Sequence, residues 1–171
     1  MHKNPEIYVW QLDFLGSIKT DNNNILSFIL PNLQFVLLDL IKNPNQEKVV
    51  EFFDDLEERI GTNAFIELIT VILTDRYPNF TDIKGICFSK ITDEERCKLF
   101  FCDGYVSNQK TNVENINKQL ILFFPKDKTI DTYKKQDIRN INQTLLNRLL
   151  RSLDSYTPKT HLLMFLMRFI Q

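Results

Sequence analysis

Apolar positions recur along this chain at helical spacing in its clearest segments. In "QEKVVEFFDDLEERIG", ending at Gly61, Val49, Phe52, Phe53, Leu56 and Ile60 form one stripe, and Glu47, Glu51, Asp54, Asp55, Glu57 and Glu58 fill the remaining surface. This spacing predicts an amphipathic helix with a solvated acidic face, stopped by Gly61. "TNAFIELITVILTDR" follows and is apolar on nearly every side from Phe65 to Leu73, which predicts a central buried helix. Its β-branched run "ITVIL" also permits a strand. "PEIYVWQLDFLGSIK" predicts a short helix opened by Pro5. "ILSFILPNLQFVLLDLI" predicts a helix that kinks or begins at Pro31, because proline removes one hydrogen bond and clashes with the preceding turn. Near the C-terminus Ile138, Ile141, Leu145, Leu149 and Leu153 share a face, and Pro158 opens a last apolar helix.

The pattern shortens between these helical stretches. "KGICFSK", "RCKLFFC" and "KQLILFFP" are brief apolar runs between polar turns, and Asp103-Gly104 is a hairpin dipeptide. The predicted fold is α+β: mainly a helical bundle, with a small antiparallel β-sheet of about three strands inserted between the N-terminal and C-terminal helices. The corresponding organisation is one domain over 1–171, helical over 5–77, β-rich over 84–125 and helical over 131–171, and compatible with a domain cut from a longer protein.

Composition narrows the function classes. Four glycines, none clustered, leave no Gly-rich phosphate cradle and no dinucleotide fingerprint. Three cysteines make an odd count, and the chain opens without a basic-then-apolar leader, so an intracellular, reducing compartment (cytoplasmic or nuclear) is expected. The apolar stretch over 25–41 holds Pro31, Asn32, Gln34 and Asp39 and falls short of the roughly 20 apolar residues of a membrane span. The net charge of −1 conceals a split: up to Lys98 the chain carries 10 Lys/Arg against 16 Asp/Glu, and from Leu99 it carries 11 against 6.

Candidate chemistry is thin in this pattern. Cys87, Cys97 and Cys102 lie in predicted strands and read as buried, inert thiols. A Cys102–His161 dyad or a zinc site from the three cysteines and His161 is formally possible but lacks any recognisable ligand spacing. No catalytic residue, metal ligand or cofactor site is therefore assigned. Two sequons, at Asn79 and Asn142, carry no weight without a secretory signal.

The surplus of apolar helix surface favours a non-enzymatic protein–protein interaction domain, a scaffold, adaptor or regulatory module, that binds another protein or itself. Its candidate contact residues are Met164, Met167 and Ile170 on the last helix and Asp54, Asp55 and Glu58 on the acidic one. The first alternative is a nucleic-acid-associated domain that uses the basic C-terminal half. Its candidate patch is Lys126, Lys128, Lys134 and Lys135, interleaved with Tyr105, Phe123, Phe124 and Tyr133. A cysteine-dependent enzyme is the second alternative.

Overall fold

The computed structural model describes residues 7–15, 20–102, 110–150 and 153–166. Five strands form one mixed sheet: β1 (Val9–Leu15), β2 (Asn23–Leu30), β3 (Phe35–Lys42), β4 (Val71–Thr74) and β5 (Lys98–Phe101), in the order β3-β2-β1-β4-β5. Among the described residues, six helices accompany them: α1 (Gln46–Ile60), α2 (Thr62–Leu68), α3 (Ile83–Cys87), α4 (Lys110–Phe123), α5 (Lys135–Asn147) and α6 (Pro158–Leu166). β2 and β3 run antiparallel, while β4 runs parallel to both β1 and β5. The predicted helical bundle with a three-strand antiparallel insert is therefore not what forms.

The departures have physical causes. The stretch around Pro31 folds as a hairpin, not a kinked helix. Pro31–Leu33 make one 3-10 turn, Gln34 takes φ 47°, and Leu30 pairs with Phe35. Every residue of β2 from Ile25 to Leu30 is buried, so the alternation that marks a half-exposed strand is erased. "KGICFSK" contributes α3, whose first turn is capped by Asp82 accepting from the Gly85 amide at 2.9 Å. "KQLILFF" belongs to α4. The Asp103-Gly104 turn lies outside the described residues, and β5 pairs in parallel with β4.

By compactness the chain divides into two units: Met1–Leu12 with Pro44–Val106, and Asp13–Asn43 with Ser107–Gln171. In the first, α1 forms as the amphipathic pattern requires. Asn45 caps it by accepting from the Lys48 amide at 2.9 Å, and Gly61 ends it at φ 84°, a conformation that favours glycine. Val49, Phe53, Phe65, Ile72, Phe80 and Ile86 are fully buried. Trp10 donates from Nε1 to the Leu68 carbonyl at 2.7 Å, which locks the end of α2 to β1. The "ITVIL" run resolves as a strand: α2 stops at Leu68 and β4 starts at Val71.

In the second unit, α4 and α5 contribute Ile116, Leu120, Ile138 and Leu145 to a core shared with Ile25, Ile29, Val36, Leu38 and Leu40 of the hairpin. Asp131 accepts from the amides of Asn22 and Asn23, and Asp21 accepts from the Ile130 amide, so two carboxylates fasten the start of β2. The edge strand β3 is covered by a side chain. Asn142 on α5 accepts from the Leu38 amide at 2.9 Å and donates to the Leu38 carbonyl at 2.8 Å. It thus supplies the pairing that an edge strand otherwise offers to another chain. Asn142→Ala is expected to cost about 1–3 kcal/mol in urea denaturation, because it orphans both groups. An unchanged unfolding midpoint would show that water replaces the amide.

Candidate functional site at the ends of the parallel strands

In open α/β sheets, ligands gather beyond the carboxyl ends of parallel strands. β1 and β4 are such strands. Their register pairs Val9 with Val71 and Leu12 with Thr74. The next residue along β1 is Asp13, and the next after β4 is Asp75; both are exposed. Each carboxylate thus follows the last paired position of a neighbouring parallel strand, where apolar burial gives way to solvent.

Local bonds set both strand ends. The Phe14 amide donates to Asp13 Oδ1 at 2.8 Å, and Ser27 Oγ donates to the Asp13 carbonyl at 3.2 Å. The Tyr77 amide donates to the Asp75 carbonyl at 2.7 Å, and Phe80 donates to the Tyr77 carbonyl at 2.9 Å, so the segment after Asp75 folds directly into a 3-10 turn at Pro78–Phe80. Gln46 Nε2 holds that turn through the Pro78 carbonyl at 3.1 Å. The Cys102 amide donates to the Thr74 carbonyl at 2.8 Å, which fixes the β4 end from the β5 side.

Two exposed carboxylates are hard oxygen donors, the type that suits Mg²⁺ or Mn²⁺, and Mg²⁺ is commonly held by one or two carboxylates together with substrate phosphate. Among the described residues, no group of three His, Cys, Asp or Glu side chains is placed to hold a metal ion. That covers the cysteine and histidine set weighed from the sequence. The donor chemistry of each carboxylate, Asp13 in the second unit and Asp75 in the first, is of the kind that Mg²⁺ or Mn²⁺ takes together with substrate oxygens.

The sequence-derived candidates are dispersed. Asp55 and Glu58 are exposed on α1, but Asp54 is half-buried and its Oδ1 stands 2.8 Å from Arg96 Nη1. Glu57, assigned to the solvated face, is buried: its Oε2 lies 2.8 Å from Arg96 Nη1, and its Oε1 accepts from Ser89 Oγ at 2.7 Å. The acidic face therefore carries an internal ion-pair network. Met164 is exposed on α6, whereas Met167 and Ile170 lie outside the described residues. Lys126, Lys128, Lys134 and Lys135 are exposed, but the aromatic rings between them do not stand beside them as a platform. Phe124 is buried against Tyr133 with ring centroids 5.2 Å apart, and Tyr133 Oη donates to the Phe123 carbonyl at 2.6 Å. Tyr105 lies outside the described residues.

The cysteines also separate. Cys87 and Cys97 are buried, but Cys102 is exposed, contrary to the reading of three inert thiols. The Cys97 thiol is pushed up by its contact with the Cys87 sulfur and by burial. One fast-reacting thiol per native chain is expected with a small disulfide reagent, and Cys102→Ser is expected to remove it. Two or more fast thiols would contradict the burial of Cys87 and Cys97.

Asp13 and Asp75 escaped the sequence reading. Their signal is weak but real: "VWQLD" and "VILTD" are each a short apolar run ending in aspartate. With 22 acidic residues in the chain, that pattern gains meaning only once the strands are known to be parallel neighbours.

This arrangement, a hairpin joined to parallel strands with helices between, defines an integrase-core-like α+β fold. The catalytic core domain of BIV integrase, in a crystal structure, superposes with a TM-score of 0.65 at 17% identity, covering 96% of this chain and 99% of that one. At that identity the likeness concerns the fold. No family model matches the chain, and no curated protein sequence does. The expectation of a helical scaffold domain is overturned by this architecture. Among the described residues, no helix is long and apolar enough to cross a membrane.

Proposed function

We propose that this chain is a divalent-metal-dependent enzyme that cuts or joins the phosphodiester backbone of nucleic acid, with Asp13 and Asp75 each a candidate metal-holding carboxylate. The observation that carries this reading is the β1–β4 register, which gives two adjacent parallel strands an aspartate directly after their last paired residues, Leu12 and Thr74. The fold of an integrase catalytic core supports a nucleic-acid substrate over the protein-interaction role. When bound, a divalent ion would polarise a phosphoryl oxygen and lower the pKa of an attacking water or hydroxyl. The chain's own task is to present the carboxylate oxygens in fixed orientation, which the Phe14 amide does for Asp13.

Such sites draw carboxylates from several elements. The test is incubation of the purified chain with end-labelled DNA and Mn²⁺ or Mg²⁺. Cleavage or strand joining that EDTA abolishes is the expected result. DNA left intact at every metal concentration would overturn the proposal.

A further inference from the structure

Arg76 directly follows Asp75 and is exposed, yet it does not lie loose in solvent. Its guanidinium carbon stands 5.7 Å from the centre of the Phe101 ring. Phe101 is the last residue of β5 and sits opposite Thr74 in the β4–β5 register, so the ring and the carboxylate-bearing strand end are held together by the sheet itself. The Cys102 amide bond to Thr74 closes the same end at 2.8 Å. Among the described residues, none forms an ion pair with Arg76. A guanidinium laid against an aromatic ring keeps its in-plane N–H donors open in a planar fork, the geometry that matches phosphate.

We propose that Arg76, backed by Phe101, grips a backbone phosphate of the nucleic-acid strand next to Asp75 and so positions the strand for reaction. This rests on the nucleic-acid reading above. The ring restricts the guanidinium before the strand arrives, which lowers the ordering cost of the contact. Arg76 is thus a positioning residue, not a metal ligand. Lysine, a point charge without a stacking plane, replaces it only in part.

The test is fluorescence anisotropy of a labelled DNA duplex with the whole chain in Ca²⁺, over a salt series, alongside steady-state cleavage in Mn²⁺. Arg76→Ala is expected to weaken binding about tenfold and to reduce the salt slope by about 0.9, the loss of one phosphate contact. In cleavage, KM rises with the loss of binding, and Arg76→Lys recovers the salt slope but not the full affinity. Phe101→Leu is expected to weaken binding in the wild type and to have no further effect on Arg76→Ala. Unchanged affinity and salt slope in Arg76→Ala would overturn the proposal, because the side chain would then be merely solvated. If wild-type chain binds DNA through Arg76 but never cleaves it, the phosphate contact stands and the enzymatic reading fails. If it cleaves and Arg76→Ala is silent, the reverse holds.

Discussion

Asp75→Asn and Asp13→Asn are each expected to reduce metal-dependent cleavage by about 10³-fold or more, with little change in fold. The magnitude follows from what the carboxylates supply. Removing a single group that stabilises developing charge in a water-poor site already costs about 10²–10³. An amide in place of a metal-holding carboxylate also removes a unit of negative charge and one hard anionic donor. The measurement is the single-turnover rate on labelled DNA over a Mn²⁺ titration, with circular dichroism as the fold control. Full activity in either aspartate variant would remove that residue from the site, and full activity in both would place the chemistry elsewhere.

Arg96→Met is expected to cost about 3–5 kcal/mol of stability. Arg96 is buried, with Nε donating to the Ile86 carbonyl and Nη2 to the Gly85 carbonyl, both at 2.9 Å. Its Nη1 faces Glu57 and Asp54 at 2.8 Å each, and the guanidinium lies 5.3 Å from the Phe65 ring centre. Glu57 holds the hydrogen bond to it, while Asp54 Oδ1 contributes charge without hydrogen-bond geometry. Deleting the arginine strands the buried Glu57 carboxylate, and an uncompensated buried charge is what makes such losses large. Arg96→Met combined with Glu57→Gln removes that penalty, so the double variant is expected to lose less than the sum of the singles. Urea denaturation of the four proteins measures it, and strict additivity would show that the two side chains act independently.

The same network sets an acid limit. Burial alone would raise the Glu57 carboxyl, but hydrogen bonds from Ser89 and Arg96 outweigh it and hold the group below its ordinary value of 4.5. A carboxyl whose pKa is lower folded than unfolded contributes stability that is present above the unfolded value and is lost as pH falls through the folded one. Stability is therefore expected to decline below about pH 4.5, and Glu57→Gln is expected to flatten that decline. An identical acid profile in Glu57→Gln would place the sensitive carboxylates elsewhere.

Local chemistry alone determined α1: a helical stripe, an Asn45 cap and a Gly61 stop act within one segment and need no partner. The helical face through Ile138, Ile141 and Leu145 likewise reads directly as α5. Tertiary structure decided the remainder. β2 is buried on both faces, and a strand buried on both faces loses the period-two signal, so its sequence is indistinguishable from that of a core helix. β4 and β5 are four residues each, too short for periodicity to outweigh their neighbours. Glu57 looked solvated because charge on a helix face is ordinarily exposed; only the approach of Ser89 and Arg96 buries it. Asp13 and Asp75 lie far apart in sequence and acquire a common meaning through a parallel pairing that no local pattern encodes, because the register of non-adjacent strands is set by the packing of the elements between them.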